Sequence, residues 1–211
     1  MPKKPETHAD ITRMVRDGYD RIAGRYLASR SLDHDVPHLT AFVDGLPIGA
    51  RVFDLGCGCG WPVSAWLSHN GYRVTGLDLS PVQVRLAREQ VPGAYFAVRD
   101  ACTLQPNEYT ADGIVSTNTF FHIPRVLQPK ILAVLRSFLP EGGPLLITFG
   151  TTPWEGVEES ISGVPMYWSQ QDAITNRRMV EAAGFDISAD RIDSSLPLPA
   201  QVIHARARAK K

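Results

Sequence analysis

The sequence predicts an α/β fold in which a mostly parallel sheet is covered by helices on both faces. Three observations lead to this prediction. Segments with helical periodicity alternate with short apolar runs between residues 51 and 150. These runs are apolar almost without interruption, as is typical of strands buried on both faces of a parallel sheet. A glycine-rich turn also separates the first apolar run from the helix that follows it.

Two helices are expected before the first strand, within residues 10–46. Apolar residues recur at steps of three and four from Ile11 to Leu27, and again from Leu39 to Leu46. Residues 1–9 are polar and charged and predict a frayed tail. The two helices together predict a helical cap placed before the sheet.

Five strands and three helices are then expected to alternate up to residue 150. The strands are RVFDL, YRVTGLDL, AYFAV, GIVST and PLLITFG, and the helices are WPVSAWLSHNG, SPVQVRLAREQ and PKILAVLRSFL. Pro62 is expected in the first turn of its helix. Ser80 is expected to be the N-cap of the next helix, with Pro81 at its first position.

The pattern changes after residue 150. Residues 150–169 show little periodicity and predict a loop, and a helix over 172–184 follows it. The alternating segments FDISADRID and QVIHARARA are expected to form an antiparallel pair that closes the sheet. Because no repeat or linker interrupts the chain, residues 1–211 predict a single domain.

Composition narrows the possible partners. The chain has 22 Lys+Arg and 22 Asp+Glu, so its formal net charge is zero and no global field draws it to nucleic acid or an anionic membrane. No apolar run approaches the ~20 residues that span a bilayer, and the polar start does not match a secretory signal. Three cysteines are too few for a disulfide framework. We expect a cytoplasmic protein, monomeric or homodimeric, with a small-molecule partner.

The turn VFDLGCGCG carries Gly56, Gly58 and Gly60 at alternate positions. Glycine lets a ligand approach the backbone, and the following helix presents its free N–H groups there. The nicotinamide dinucleotide pattern GxGxxG is not met, because Trp61 stands where the third glycine is required. A Walker-type GK[ST] segment is absent from the sequence as well. The turn therefore indicates a nucleotide-like ligand other than a nicotinamide cofactor.

Two carboxylates follow the next two strands. Asp78 lies eighteen residues beyond Gly60, where an acidic group suits both hydroxyls of a ribose. Asp100 follows the third strand, within reach of the base that such a ribose carries. Asp78 could instead cap a helix, although Ser80 already supplies that cap. Asp100 could instead form a local turn.

Together, VFDLGCGCG, GLDLS, VRDA and GIVSTNTFFHIPR resemble the class I S-adenosylmethionine-dependent methyltransferases of small-molecule type. The resemblance covers roughly residues 10–208, and GYDRIAGRYL is similar to the opening helix of these enzymes. It implies a three-layer, Rossmann-like sandwich whose seven-stranded sheet has the order 3-2-1-4-5-7-6 with the last strand antiparallel. It also implies S-adenosyl-L-methionine as the cofactor.

The resemblance implies cofactor contacts from the glycine turn, the opening helix and three strand ends. The residues concerned are Tyr19, Tyr26, Asp54, Gly56, Cys57, Gly58, Gly60, Asp78, Leu79, Asp100, Ala101 and Ser116. Asp54 would lie near the methionine amino group, although it could simply bond the turn backbone. Asp100 would accept a hydrogen bond from the adenine amino group, with the N–H of Ala101 near a ring nitrogen. Tyr19 and Tyr26 would close over the cofactor or form a plain buried helix face.

In this superfamily the end of the fourth strand faces the transferred methyl group, which implies a substrate pocket there, with residues 150–169 as its lid. The candidates are Asn118, Phe121, His122, Trp154, Tyr167 and Trp168. The aromatic residues of the lid could instead form a satellite cluster under the loop. His122 is the candidate catalytic base, since an ordinary histidine titrates near neutral pH. A structural histidine bonded to the backbone is the alternative.

A metal site is not expected. Cys57 and Cys59 form C-x-C, whereas zinc sites usually space their cysteines further apart and add two more ligands. The segment STNTFF lacks the Asp of metal-dependent catechol enzymes and the (D/N)PPY of amino-methylating DNA enzymes. We therefore expect metal-independent methyl transfer to O, N, S or C of a small molecule, mainly by orientation. The alternatives are a non-catalytic subunit with this fold and an RNA or protein methyltransferase.

Overall fold

The computed structural model describes residues 5–159, 163–194 and 199–209. These residues form six α-helices, two short 3-10 helices at Ala101–Thr103 and Phe120–His122, and nine strands. In chain order the elements are α1 (His8–Ser29), α2 (Asp35–Val43), β1 (Arg51–Leu55), α3 (Val63–His69), β2 (Arg73–Asp78), α4 (Pro81–Gln90), β3 (Tyr95–Val98), β4 (Gly113–Ser116), α5 (Gln128–Phe138), β5 (Pro144–Gly150), β6 (Trp154–Glu159), β7 (Pro165–Gln170), α6 (Ala173–Ala182), β8 (Phe185–Asp193) and β9 (Ala200–Ala207).

Seven strands form one sheet in the order β3-β2-β1-β4-β5-β9-β8. Strands β1 to β5 are parallel, and β9 runs antiparallel to both of its neighbours, β5 and β8. The other two strands, β6 and β7, pair only with each other. Without that hairpin the strand order is 3-2-1-4-5-7-6 with the last strand antiparallel. The predicted fold class is confirmed.

The central strands carry apolar side chains on both faces, which is why helices cover the sheet on both sides. Val52, Val115 and Leu146 pack on one face against Leu39 and Phe42 of α2. Their neighbours one step along each strand pack on the opposite face against α5 and α6. Successive side chains of a strand point to opposite faces, so an uninterrupted apolar run fills both layers of the core.

Side chains cap the starts of three of the six α-helices, and the cap predicted at Ser80 is confirmed. The Oγ of Ser80 accepts a hydrogen bond from the N–H of Gln83 at 3.0 Å, and Pro81 occupies the first position of α4. Pro62 differs from its prediction, because it precedes α3 instead of lying in its first turn. Within the described ranges, every helix is too short or too polar to cross a membrane.

The structure corrects the predicted loop over residues 150–169, because most of this segment forms the hairpin of β6 and β7. Trp154 pairs with Gln170, and Val157 pairs with Tyr167. The sequence hides this strand pair because Met166 and Tyr167 are both buried although they are adjacent in β7. Burial on both faces removes the alternation that identifies a half-buried strand.

Helix α1 packs against this hairpin. Val164 and Met166, in and beside β7, form a small apolar cluster with Ile22 of α1. Tyr19 and Tyr26 of α1 pack against this cluster. This contact places the middle of α1 above the edge where the parallel strands end. Helix α1 therefore covers this edge of the sheet.

The contact between α1 and the hairpin depends on Gly18. A Cβ atom there would lie 3.0 Å from both Cγ and Cε of Met166, whereas nothing lies within 4 Å of a Cβ at Gly24. We expect Gly18→Val to lower the free energy of unfolding by about 1–3 kcal/mol, because overpacking displaces Met166. Gly24→Val is the matched control in the same helix and should change it by less than about 0.5 kcal/mol. Urea unfolding measures both, and equal effects of the two substitutions would contradict the packing account.

Candidate active site

A cleft opens under α1 where β1, β2 and β4 end, and it holds about 760 Å³ of space outside protein atoms, part of it open to solvent. Ten predicted site residues line it: Tyr19, Tyr26, Gly56, Gly58, Asp78, Leu79, Asp100, Ala101, Asn118 and His122. The structure thus brings together residues from five separate parts of the chain.

The glycine turn gives the cleft a floor of bare backbone. Gly56 and Gly58 have φ of 77° and 53°, in the left-handed region that favours glycine. A Cβ atom at Gly56 would collide with the side chain of Thr119. The N–H of Gly56 is used internally, since it donates to the carbonyl oxygen of Leu77 at 2.7 Å. Glycine is therefore required here by space as well as by backbone angle.

Asp78 joins the glycine turn to the start of α4. Its Oδ2 accepts a hydrogen bond from the N–H of Gly58 at 2.9 Å, and its Oδ1 accepts one from the N–H of Ser80 at 2.8 Å. Burial raises the pKa of the carboxyl above its ordinary value, and these backbone donors oppose that shift. Each carboxylate oxygen has a second lone pair. Asp78 can therefore accept two further hydrogen bonds from a ligand in the cleft.

Asp100 is held by two elements. Its Oδ1 accepts from the N–H of Cys102 at 2.8 Å, so the predicted local turn exists. Its Oδ2 lies 3.0 Å from Nε2 of His8 and accepts from Oγ1 of Thr12 at 3.1 Å. The first turns of α1 therefore rest on this carboxylate, and one lone pair of Oδ1 remains for a ligand.

His8, Asp100 and Cys102 also place three potential ligand atoms within 4.8 Å of one another. Burial, with Asp100 nearby, raises the pKa of the Cys102 thiol to about 12. Because His8 and Thr12 both reach Asp100 from α1, we interpret this group as the contact that closes α1 on Asp100.

His122 and Tyr19 form a hydrogen-bonded pair at the other end of the cleft. Nδ1 of His122 lies 2.8 Å from the carbonyl oxygen of Tyr167, so this nitrogen carries the proton and donates it. Nε2 is then an acceptor and lies 2.8 Å from the Tyr19 hydroxyl, which donates to it. Burial lowers the pKa of His122 to about 4 and raises that of Tyr19 well above its ordinary value. Both groups are neutral at pH 7.

Aromatic side chains of the hairpin support the His122 ring from behind. The ring centroids of Trp168 and His122 lie 4.6 Å apart, and Phe121 stacks on Trp168 at 5.1 Å. The hydroxyl of Tyr167 donates to Oε1 of Glu155 at 2.8 Å, which ties β7 to β6. The rings of Phe121 and Trp168 contact His122, and neither residue lines the cleft.

The remaining predicted substrate residues lie in different places. Asn118 lines the cleft, and its φ of 56° is unusual for a residue other than glycine. Its N–H donates to Oγ1 of Thr148 at 2.8 Å, which holds the turn after β4 in this conformation. A positive φ at Asn118 is a form of backbone strain that is typical of functional sites.

Trp154, with 39% of its surface exposed, does not line the cleft.

Four predicted cofactor residues lie just behind the cleft. The Oγ of Ser116 donates to the carbonyl oxygen of Leu55 at 2.9 Å and so ties β4 to β1. Cys57 packs in a cluster under α4. A Cβ atom at Gly60 would lie 3.2 Å from the Cα of Ala87, so Gly60 serves the approach of α4. Asp54, the fourth, is 1% exposed and accepts a hydrogen bond from the Oγ of Ser64 at 2.6 Å.

Burial raises the pKa of Asp54 to about 7, against 3.8 in its ordinary state. Because the folded state binds this proton more tightly, the contribution of Asp54 to stability is highest at low pH and falls until the pH passes about 7. We expect the ligand-free protein to lose about 3 kcal/mol of unfolding free energy through Asp54 between pH 5 and pH 8. Asp54→Asn should remove this part of the pH dependence in urea unfolding. The same pH dependence in both proteins would contradict the assignment.

The sequence did not single out the first turns of α1 as part of the site. His8, Ile11, Thr12 and Val15 line the cleft from α1. Their spacing follows one face of a helix, so the signal was present in the periodicity, but it cannot show which carboxylate that face meets. Arg99, beside Asp100, and the threonines around Asn118 were also missed.

The comparisons with known proteins fit this geometry. A family model described as a methyltransferase domain matches residues 52–143. The 2-methyl-6-phytyl-1,4-hydroquinone methyltransferase of Synechocystis sp. is 34% identical over 110 residues, covering 50% of this chain and 33% of that protein. A ubiquinone biosynthesis O-methyltransferase of Xanthomonas euvesicatoria pv. vesicatoria is 33% identical over 166 residues, covering 70% and 66%. The chain thus spans a third to two thirds of the length of these relatives.

A solved structure described as the DhpI-SAH complex superimposes with a TM-score of 0.73 at 18% identity, covering 97% of this chain and 100% of that chain. The magnesium protoporphyrin IX methyltransferase of Synechocystis PCC 6803, solved with bound SAM, gives 0.66 at 20% identity, covering 98% and 86%. At these identities the likeness concerns the fold. The resemblance predicted from the motifs is confirmed: residues 52–143 match a methyltransferase domain, and the fold is the class I fold of the S-adenosylmethionine-dependent methyltransferases.

Proposed function

We propose that this chain transfers a methyl group from S-adenosylmethionine to a small-molecule acceptor, with His122 as the final proton acceptor. One observation carries the proposal: the glycine turn and two carboxylates border one part of the cleft, and the Tyr19–His122 pair borders another. The names of the relatives, which include a hydroquinone methyltransferase and a ubiquinone biosynthesis O-methyltransferase, support a small-molecule acceptor.

The chemistry of the cleft suits this cofactor. Asp78 has two lone pairs left for the hydroxyls of a ribose, and Asp100 has one left for an amino group. Gly56 and Gly58 leave the turn without side chains. Asp54 lies behind the turn, where a cationic amino group nearby would favour its ionised form and lower its raised pKa.

Helix α1 would exclude water from the site. It is fixed to the body of the protein at Asp100 through His8 and Thr12, and it meets the start of α4 through Asp20, which bonds the Ser80 hydroxyl. A closed roof strengthens every electrostatic contact beneath it. The sequence predicts residues 150–169 as the lid. In our proposal α1 closes the cleft instead, and the hairpin within these residues holds His122.

When bound, S-adenosylmethionine supplies an electrophilic methyl group on a positively charged sulfur. This chain would orient the acceptor and receive its proton. An acceptor hydroxyl near Tyr19 can pass its proton to Oη of Tyr19 while Tyr19 passes its own to Nε2 of His122, so the phenol is neutral before and after. Because Nδ1 donates to the Tyr167 carbonyl, Nε2 is the nitrogen that takes the proton.

Thermal unfolding with two ligands tests the proposal. We expect S-adenosylhomocysteine at 100 times its dissociation constant to raise the melting temperature by about 5–10 °C, and NAD at the same concentration to leave it unchanged. No shift with S-adenosylhomocysteine would contradict the proposal. A shift without methyl transfer to any member of an acceptor panel would instead support the non-catalytic alternative.

A further inference from the structure

A second cavity lies between α2, β5, β8 and β9. It holds about 760 Å³ of space outside protein atoms, part of it open to solvent. Pro144, the first residue of β5, borders it, so it lies toward the opposite end of the sheet from the glycine turn. Among the described residues, none lines both this cavity and the cofactor cleft.

The polar lining of this cavity is unusual in its charge. Its polar side chains are His38 on α2, Ser188 and Arg191 on β8, and His204 and Arg206 on β9. In the parts of the chain that the structure describes, no carboxylate lines the cavity. The rest of the wall is apolar and includes Phe42. A concave surface with cations and without anions favours a ligand of negative charge.

The two histidines share one hydrogen bond. Nδ1 of His38 and Nε2 of His204 lie 3.3 Å apart, and the ring centroids are separated by 5.6 Å. Two neutral imidazoles carry two N–H groups, of which one is used between the rings. The two outer nitrogens, Nε2 of His38 and Nδ1 of His204, therefore carry one proton between them. If the pair takes up a proton, both outer nitrogens become donors.

The surroundings of His204 favour its neutral form. Burial, His38 and Arg191 lower the pKa of His204 to about 4. The other charged or titratable groups on the neighbouring elements are His34, Asp35, Asp186, Asp190, Asp193 and Arg206. Asp35 pairs with Arg30 at 3.4 Å, and Asp190 pairs with Arg177 at 3.2 Å.

We propose that this cavity binds a small molecule through an oxyanion group, a carboxylate or a phosphate, held by Arg191 and the pair of His38 and His204. The charged oxygens of an oxyanion accept hydrogen bonds, and a guanidinium presents donors that match their geometry. Arg206 donates to the carbonyl oxygen of Asp44 at 2.9 Å, which fixes its charge at the rim. Because a bound anion favours the protonated pair, binding is coupled to proton uptake and is tighter at lower pH.

Nuclear magnetic resonance of the histidine rings in the full chain tests this site. Inorganic phosphate and acetate are titrated separately at pH 6 and pH 8, with sodium chloride holding the ionic strength constant. We expect saturable shifts of the His38 and His204 signals, with tighter binding at pH 6. Saturation with phosphate alone identifies a phosphate site, and saturation with acetate as well identifies a general oxyanion site.

Two variants and one control sharpen the test. Arg191→Gln and His38→Gln should each weaken binding about tenfold or more, since each removes a charge-assisted donor. Arg85→Gln removes an exposed arginine of α4, paired with Glu89, and should leave binding unchanged. A melting temperature near that of the unmodified protein shows that each variant is folded. Linear shifts like those caused by chloride, or equal binding by both variants and the control, would overturn the proposal.

Discussion

Replacing Asp78 by alanine is expected to weaken the binding of S-adenosylhomocysteine about 100-fold or more. In the proposed complex its carboxylate accepts two hydrogen bonds from the ribose, and hydrogen bonds to charged groups contribute about 1.5–3 kcal/mol each. The carboxylate also fixes the glycine turn through the N–H of Gly58. Both effects act in the same direction, so this substitution should have the largest effect on binding. Isothermal titration calorimetry measures it.

Asp112→Ala is the matched control. Asp112 also accepts a backbone hydrogen bond, from the N–H of Arg51 at 2.8 Å, but it lies at the start of β1 and β4, where the sheet is furthest from the cleft. We expect Asp112→Ala to bind S-adenosylhomocysteine with unchanged affinity. Urea unfolding without ligand separates lost stability from lost contact. Wild-type affinity in Asp78→Ala would contradict the ribose assignment.

Replacing His122 by glutamine is expected to lower kcat about 100-fold or more for an acceptor that loses a proton on methylation, because proton transfer by a positioned side chain contributes about 10²–10⁴-fold. Glutamine keeps a donor and an acceptor but cannot take up a proton. The affinity for S-adenosylhomocysteine should be unchanged. Steady-state kinetics with any such acceptor, together with calorimetry, measures both. A kcat within about threefold of the unmodified protein would show that orientation alone suffices.

The pH profile gives an independent test of His122. A base acts in its neutral form, and burial places the pKa of this ring at about 4. The rate should therefore not fall between pH 8 and pH 6, the range in which an unperturbed histidine would lose activity. Resonances of the His122 ring should show the tautomer protonated at Nδ1 throughout this range. Protonation near pH 6.5 would contradict the burial argument.

Most of the fold could be predicted because its signals are local. The alternation of apolar strands with helices and the caps at Ser80 and Pro81 each depend on neighbours within a few residues. The hairpin at 154–170 could not be predicted. Met166 and Tyr167 are adjacent and both buried, so the alternation of apolar and polar residues that identifies a strand is absent. A strand buried on both faces and a loop of mixed apolar residues look alike in one sequence.

Some residues of the candidate site could likewise be predicted from the sequence, whereas others could not. Residues of the glycine turn and the strand ends were found because motif spacing and the geometry of parallel strands bring them to one edge. The pairs Tyr19–His122 and Thr12–Asp100 join residues 103 and 88 positions apart, and no local pattern encodes such contacts. The aromatic residues of the hairpin were predicted to form a substrate lid. The contact of Trp168 with the His122 ring depends on packing that spacing does not show.

The most direct test of the central claim is a crystal structure of this chain with S-adenosylhomocysteine. The account predicts the ligand under α1, with its ribose hydroxyls on the carboxylate of Asp78, its adenine beside Asp100 and its sulfur toward the Tyr19–His122 pair. A ligand bound outside this cleft, or in the cleft without a contact to Asp78, would contradict the account.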